Sequence, residues 1–170
     1  MKKNLVSRIR TIICISLILA GFSGCFSQGP AGIAVSFMKD VVSLHYDEAA
    51  LLISERALGG RQAASYFEKE KQAYRGMSGF GEYVEKNTDF KVLSEKVEGD
   101  TAKVKLARIG PDPKELGAFL LMLSISGKKY TTASEIEAAI KSVNKGVLLN
   151  TTTTNVPMTL IKENGQWRLN

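Results

Sequence analysis

The chain has 170 residues, 44% of them hydrophobic, and a formal net charge of +6. Four positive charges, Lys2, Lys3, Arg8 and Arg10, lie in the first ten residues, and removing them from +6 leaves +2 for the remainder. Because that remainder carries no run of like charges, its composition argues against nucleic acid as a partner. One histidine and two cysteines also argue against a zinc or copper site, so we predict neither a metal nor a cofactor.

The first segment has the three parts of a bacterial export signal. Residues 1–10 are cationic, residues 11–21 (TIICISLILAG) are apolar, and residues 22–25 (FSGC) are mostly small. The apolar stretch is little more than half of the roughly 20 residues that a membrane-spanning helix needs. We therefore predict a cleavable signal peptide over residues 1–24 rather than a permanent membrane-spanning helix.

The end of this segment resembles the lipobox of bacterial lipoproteins. In that family the cysteine receives diacylglycerol, with acyl chains such as palmitate, and the peptide bond before it is then cut. The resemblance implies cleavage between Gly24 and Cys25, lipidation of Cys25 and a tether over residues 25–32. Phe22 departs from the leucine most common in the motif, and Phe26, rather than aspartate, implies the outer membrane facing the periplasm if the source is Gram-negative. The predicted localisation is the bacterial cell envelope, with the membrane as a partner through the lipid anchor.

Helices are predicted first in the remainder of the chain. Apolar residues at helical spacing predict a helix over 31–44, and Asp47 is placed to cap a second short helix over 47–54. A third helix is predicted over 61–75 because the segment is rich in good helix formers. The glycine-punctuated stretch that follows, 76–87, is either a loop or a fragment of helix.

The pattern then changes to strands. Residues 90–97 and 101–109 flank Glu98-Gly99-Asp100 and predict a β-hairpin. Its second strand alternates in polarity, which predicts one wetted face. The residues predicted to face the core are Ala102, Val104 and Leu106, and those predicted to face solvent are Lys103 and Lys105.

Two further helices are predicted before the last strands. Asp112 is placed to cap a helix over 113–124, although 118–125 (AFLLMLSI) also fits a buried strand, and we favour the helix. Thr132 and Glu135 have the spacing of a capping box and open a second helix. Its apolar side is predicted to comprise Ile136, Ile140 and Val143.

The chain ends in a predicted hairpin. A β-branched run after Gly146 leads to Asn164-Gly165, a two-residue turn, and then to a short strand that contains Trp167. Pro157 cannot donate a ladder hydrogen bond, so it marks either a sheet edge or a bulge.

This order of elements resembles the cone-shaped α+β fold of the nuclear transport factor 2-like superfamily, and within it small bacterial lipoprotein domains of unknown function. Three pieces carry the likeness, residues 34–54, 96–109 and 156–170, and a cystatin-like fold has a similar pattern. The stretch 110–146 is longer and more helical than such domains usually have. We predict a single α+β domain over residues 33–170, with N-terminal helices packed on a curved, cone-like antiparallel sheet and a helical insertion before the final hairpin.

The resemblance leaves two functional classes open, since the superfamily includes enzymes that abstract protons with a carboxylate in the cone as well as members that only bind. His45, Tyr46 and Asp47 are the one candidate acid/base set, but consecutive residues at a helix corner point in different directions. We therefore predict no catalytic residue.

The apolar and aromatic residues have a structural and a functional interpretation. We interpret four aromatic residues as core rather than as the lining of a pocket, namely Tyr66, Tyr74, Tyr83 and Trp167. We likewise predict that residues 118–125 are buried; the alternative is that they contact a partner or the membrane surface. The sequence thus predicts a non-enzymatic, membrane-anchored binding or interaction module for an unidentified protein or small molecule. The alternatives are an enzyme that uses the cone-shaped pocket and a purely structural envelope protein.

Overall fold

A computed structural model describes residues 28–170, and these form a mixed α+β fold, as predicted. The predicted cleavage site at Gly24 and Cys25 lies outside the described residues. The helices are α1 (Pro30–Val42), α2 (Tyr46–Leu51), α3 (Glu55–Leu58), α4 (Ala63–Tyr66), α5 (Glu68–Ala73), α6 (Ser78–Lys86), α7 (Pro113–Ser126) and α8 (Ala133–Val143). The strands are β1 (Asp89–Glu98), β2 (Thr101–Pro111), β3 (Thr151–Glu163) and β4 (Gln166–Leu169).

The opening pair of helices is present, but its corner differs from the prediction. Helix α1 ends at Val42, and Leu44 turns the chain with a φ of 62°. The predicted capping role of Asp47 is wrong, because α2 begins one residue earlier and His45 occupies the N-cap without a side-chain hydrogen bond. Asp47 instead lies in the first turn of α2, where its carboxylate pairs with Lys71.

The helix predicted over 61–75 is wrong as a single element, because it is divided into α4 and α5 at Phe67. Phe67 has φ −103° and ψ 22°, outside helical geometry, and its ring stacks on Tyr46 with centroids 5.1 Å apart. Aromatic packing at this point overrides the helix propensity of the flanking residues. The stretch 76–87, which the sequence left open, contains a true helix, α6.

The four strands form one open antiparallel sheet in the order β1-β2-β3-β4. Both predicted hairpins are confirmed, and the alternation along β2 buries Ala102, Val104 and Leu106 while Lys103 and Lys105 remain exposed. Strand β4 pairs with β3 only from Leu160 to Glu163, so Pro157 lies where β3 borders the open side of the sheet. The register with β2 is unbroken at Pro157, so the edge alternative is the one observed.

The segment between β2 and β3 is helical, as predicted, and 118–125 lies in α7. The Asp112 carboxylate accepts hydrogen bonds from the backbone N–H groups of Lys114 (2.9 Å) and Glu115 (3.2 Å) and so caps α7. The capping box of Thr132 and Glu135 is formed at the start of α8. The predicted apolar side of α8 is wrong at Val143, which is 54% exposed. Val143 is the last residue of α8, where the chain leaves the interface between the helices.

The interior comprises two apolar clusters. In the first, one face of the sheet packs against α1 and the segments that follow it; its most buried members include Ala34, Val104, Leu106 and Leu160. The second joins α6, α7 and α8; its most buried members include Tyr83, Leu123, Ile136 and Ile140. Within residues 28–170, no helix is both long enough and apolar enough to cross a membrane.

Candidate functional site: a cavity between the first two helices and the last strand

A cavity of about 470 Å³ opens to solvent where α1, α2 and β4 meet. Helix α1 contributes Ile33, Ser36 and Asp40, whose spacing of three and four residues places them on one helix face. Helix α2 and the residue after it contribute Glu48, Leu51 and Leu52, and β4 contributes Gln166, Trp167 and Arg168. A volume of this size falls within the range of small-molecule sites, roughly 300–1,000 Å³.

Backbone hydrogen bonds fix the walls of this cavity. The N–H of Leu169 donates to the carbonyl of Leu52 at 2.8 Å, and the N–H of Ser54 donates to the carbonyl of Leu169 at 2.7 Å. The segment after α2 therefore runs beside β4, and Ile53 makes a parallel bridge to Leu169. Because both walls are tied at the backbone, the cavity belongs to the fold itself and not to a mobile loop.

Two carboxylates and one guanidinium set the electrostatics of the cavity. Burial raises the pKa of the Asp40 carboxyl above its ordinary value, and the charges of Glu48 and Glu85 add to the increase, while His45 opposes it. The Arg168 guanidinium donates to the carbonyl of Leu51 and to Oε1 of Gln166, the latter at 2.7 Å. Arg168 is thus a positioned part of the wall.

Trp167 is the one tryptophan of the chain, and it lines the cavity. Its indole is half-buried, and the Nζ atom of Lys162 lies 5.9 Å from the ring centroid. The prediction that the aromatic residues belong to the core is confirmed for Tyr83, which is 2% exposed, while Tyr66 and Tyr74 pack on the edges of the two clusters. For Trp167 both interpretations apply, because it also packs on the first cluster.

The structure does not bring His45, Tyr46 and Asp47 together as an acid/base set. The His45 side chain is exposed, Asp47 pairs with Lys71, and Tyr46 is buried against Phe67. Burial raises the pKa of the Tyr46 phenol to about 12, so this hydroxyl keeps its proton at neutral pH. The three consecutive side chains therefore have three separate environments.

A second surface feature lies on α7, away from the cavity. One side of this helix buries Phe119 and Leu123, and the opposite side exposes Leu121 (65%) and Ile125 (78%). Between α7 and the end of α8 runs a groove of about 330 Å³, whose lining includes Ala118, Met122, Val143 and Leu149. The favoured prediction, burial of the whole 118–125 run, is therefore wrong for the outer side of α7, which is apolar but exposed.

Sequence reasoning did not identify the polar residues of the cavity. Asp40 and Glu48 lie on helices and Arg168 lies on the last strand, so no local motif connects them. Within residues 28–170, no group of three or more His, Cys, Asp or Glu side chains is arranged to hold a metal ion. Comparison with known proteins gives no matching family profile and no matching curated protein.

Proposed function

We propose that this chain is a lipid-anchored protein of the bacterial cell envelope whose domain is a non-enzymatic binding module. Cys25 carries the lipid after removal of residues 1–24, and the domain folds as a member of the nuclear transport factor 2-like superfamily. Helices packed on one face of an open antiparallel sheet support that part of the proposal. In a Gram-negative cell the domain faces the periplasm from the outer membrane.

The observation that carries the binding role is the cavity between α1, α2 and β4. It combines apolar walls with a few convergent polar groups, the composition typical of small-molecule sites. Gln28 stands in its wall and lies three positions after Cys25 in the sequence. Three peptide units reach roughly 10 Å when extended. A bound molecule is therefore held close to the membrane.

The anchor is tested by replacing its thiol. In cells fed a labelled fatty acid, the native chain should carry the label and sediment with membranes, whereas Cys25→Ser should lose the label. Cys14→Ser is the matched control, because it removes the other cysteine of the chain and should leave the label in place. An acyl label that persists in Cys25→Ser, or a native chain without label, contradicts the anchor.

The cavity is tested through the fluorescence of Trp167, which reports from its wall. The full chain is titrated with a panel of small amines, sugars and carboxylates, and we expect a saturable change in emission for one class. Ser36→Phe places a ring in the cavity and should abolish that change, while Ser94→Phe on exposed β1 should preserve it. If no compound saturates, or if both variants respond alike, the cavity is not the binding site.

An enzyme that uses this cavity is the second candidate, and one observation favours it. The pKa of Asp40 is raised by burial, which is the direction of change expected of a carboxylate that acts as a general base. This candidate predicts that a bound compound is recovered chemically altered, as read by mass spectrometry. Asp40→Asn should then stop the alteration and retain binding. Recovery of unaltered compound favours the binding module.

A further inference from the structure

The exposed side of α7 continues onto neighbouring residues. Val143, Val147 and Leu148, at the end of α8 and in the following turn, are also exposed. Met122 and Val143 line the same groove, so the two parts are adjacent. Exposed apolar patches on the order of 300–600 Å² on a monomer are often functional. The α7 surface, as we define it, comprises Ala118, Leu121, Met122, Ile125, Val143, Val147 and Leu148.

Positive charges predominate around the α7 surface, although Glu115 also lines its groove. Residues 116–134 and 138–162 contain no aspartate or glutamate, and exposed Lys128 and Lys145 lie within them. Lys114, four positions before Ala118, is exposed at the other end of the same helix side. The one acid of α7, Glu115, accepts hydrogen bonds from the backbone N–H and the side-chain amide of Asn150, at 2.8 and 2.6 Å. The apolar centre is therefore bracketed by cations.

This charge pattern disfavours a second copy of the chain as the occupant. Suppose that two copies pair through the exposed side of α7, antiparallel and centred on Leu121. Lys114 of each copy then lies opposite Lys128 of the other, so the dimer contains two such pairs of like charges. Like charges placed together across an interface weaken it. An anionic lipid surface satisfies both features at once, since its headgroups attract lysines and its acyl boundary accepts aliphatic side chains.

We propose that the α7 surface docks on an anionic membrane, with its apolar side chains at the acyl boundary and Lys114, Lys128 and Lys145 among the headgroups. The inference rests on the proposed anchor at Cys25, which keeps the domain at the membrane, so that even a weak contact there is populated. Helix α1 is about 20 Å long and runs from the tether to α6, on which α7 and α8 pack.

The test places a photo-crosslinking residue, benzoylphenylalanine, at Ile125 of the full chain in the envelope of the producing cell. Val97 is the matched control position, because it is an exposed valine (50%) on β1, outside the α7 surface. Illumination should give at least about fivefold more lipid adducts at position 125 than at position 97. A factor of about five is the gain in membrane contact expected from the attraction of about one lysine to an anionic surface. Equal yields, a crosslinked dimer, or a crosslink to another protein would overturn the proposal.

A second comparison tests the role of charge. Lys114→Gln combined with Lys128→Gln should lower the adducts at Ile125, whereas Lys103→Gln combined with Lys105→Gln on the exposed sheet face should not. An equal loss in both double variants would show that overall charge, and not this surface, drives the contact. The acyl label on Cys25 is read from the same samples. Label without adduct overturns only the docking surface, and absence of both overturns the anchor as well.

Discussion

Gly79 and Gly117 are two helical glycines for which the structure predicts opposite effects of the same substitution. Gly79 lies in α6 where this helix crosses the start of α8, and its N–H donates to the carbonyl of Tyr130 at 3.2 Å. A Cβ atom at position 79 would lie 2.4 Å from the backbone nitrogen of Thr132 and 2.5 Å from its carbonyl oxygen. A Cβ at position 117 would meet no atom within 4 Å.

The magnitudes follow from propensity and sterics. Alanine is favoured over glycine inside a helix by up to about 1 kcal/mol, and Gly117→Ala should gain most of this. For Gly79→Ala the same gain is opposed by a clash with backbone that cannot rotate away, and overpacking of this kind costs about 1–3 kcal/mol or more. Thr132 is also the N-cap of α8, so a shift of its backbone would weaken the capping box. We expect a net loss of about 1–2 kcal/mol for Gly79→Ala.

Urea denaturation followed by far-ultraviolet circular dichroism measures both variants against the native chain. The free energy of unfolding should fall for Gly79→Ala and rise or stay level for Gly117→Ala, with similar slopes against urea concentration. A Gly79→Ala variant as stable as the native chain would show that α6 and α8 do not approach at this point. A marked loss in Gly117→Ala would show that the outer side of α7 is covered.

Three further outcomes are expected from the same denaturation assay. Thr132→Ala removes the side-chain acceptor of the capping box and should lower the free energy of unfolding by about 1 kcal/mol; no loss would argue against the box. Leu123→Ala, at a fully buried position, should cost about 2–5 kcal/mol, whereas Leu121→Ala, at a 65% exposed position, should stay within about 0.5 kcal/mol; equal losses would contradict the assigned faces of α7. Because burial raises the folded-state pKa of Asp40 above its ordinary 3.8, the folded state binds this proton first, and the contribution of Asp40 to stability rises as the pH falls through the folded-state pKa. Asp40→Asn should therefore raise stability near neutral pH, and this advantage over the native chain should shrink as the pH falls; an advantage that does not change with pH would show that Asp40 is solvated.

The features that the sequence predicts well are those decided by neighbouring residues. The cap at Asp112, the capping box of Thr132 and Glu135, and the Asn164-Gly165 turn each require residues only a few positions apart, and all three are present. Alternation along β2 and helical spacing along α1 are local in the same sense. These locally favoured structures are present in the folded chain because tertiary packing favours the same conformations.

The features that the sequence missed depend on contacts between distant segments. Helix α4 ends at Tyr66 because the ring of the next residue, Phe67, packs on Tyr46, and nothing in the neighbouring residues indicates this. Asp47 has the chemistry of a cap, but Lys71 is within reach once α5 folds back on α2. The cavity is the extreme case, since Asp40 and Arg168 line the same space only when the last strand has joined the sheet.

The way the segment 112–150 is inserted has a consequence for how this fold can vary. Strands β2 and β3 remain paired up to Pro111 and Thr151, and the N–H of Asp112 donates to the carbonyl of Asn150 at 2.7 Å. Both ends of the insertion therefore emerge at one point, so a tight turn of a few residues would join the strands equally well. Evolution or an engineer can lengthen, shorten or exchange this segment without altering strand order. The requirement is that something still shields Tyr83 and Phe80 on α6.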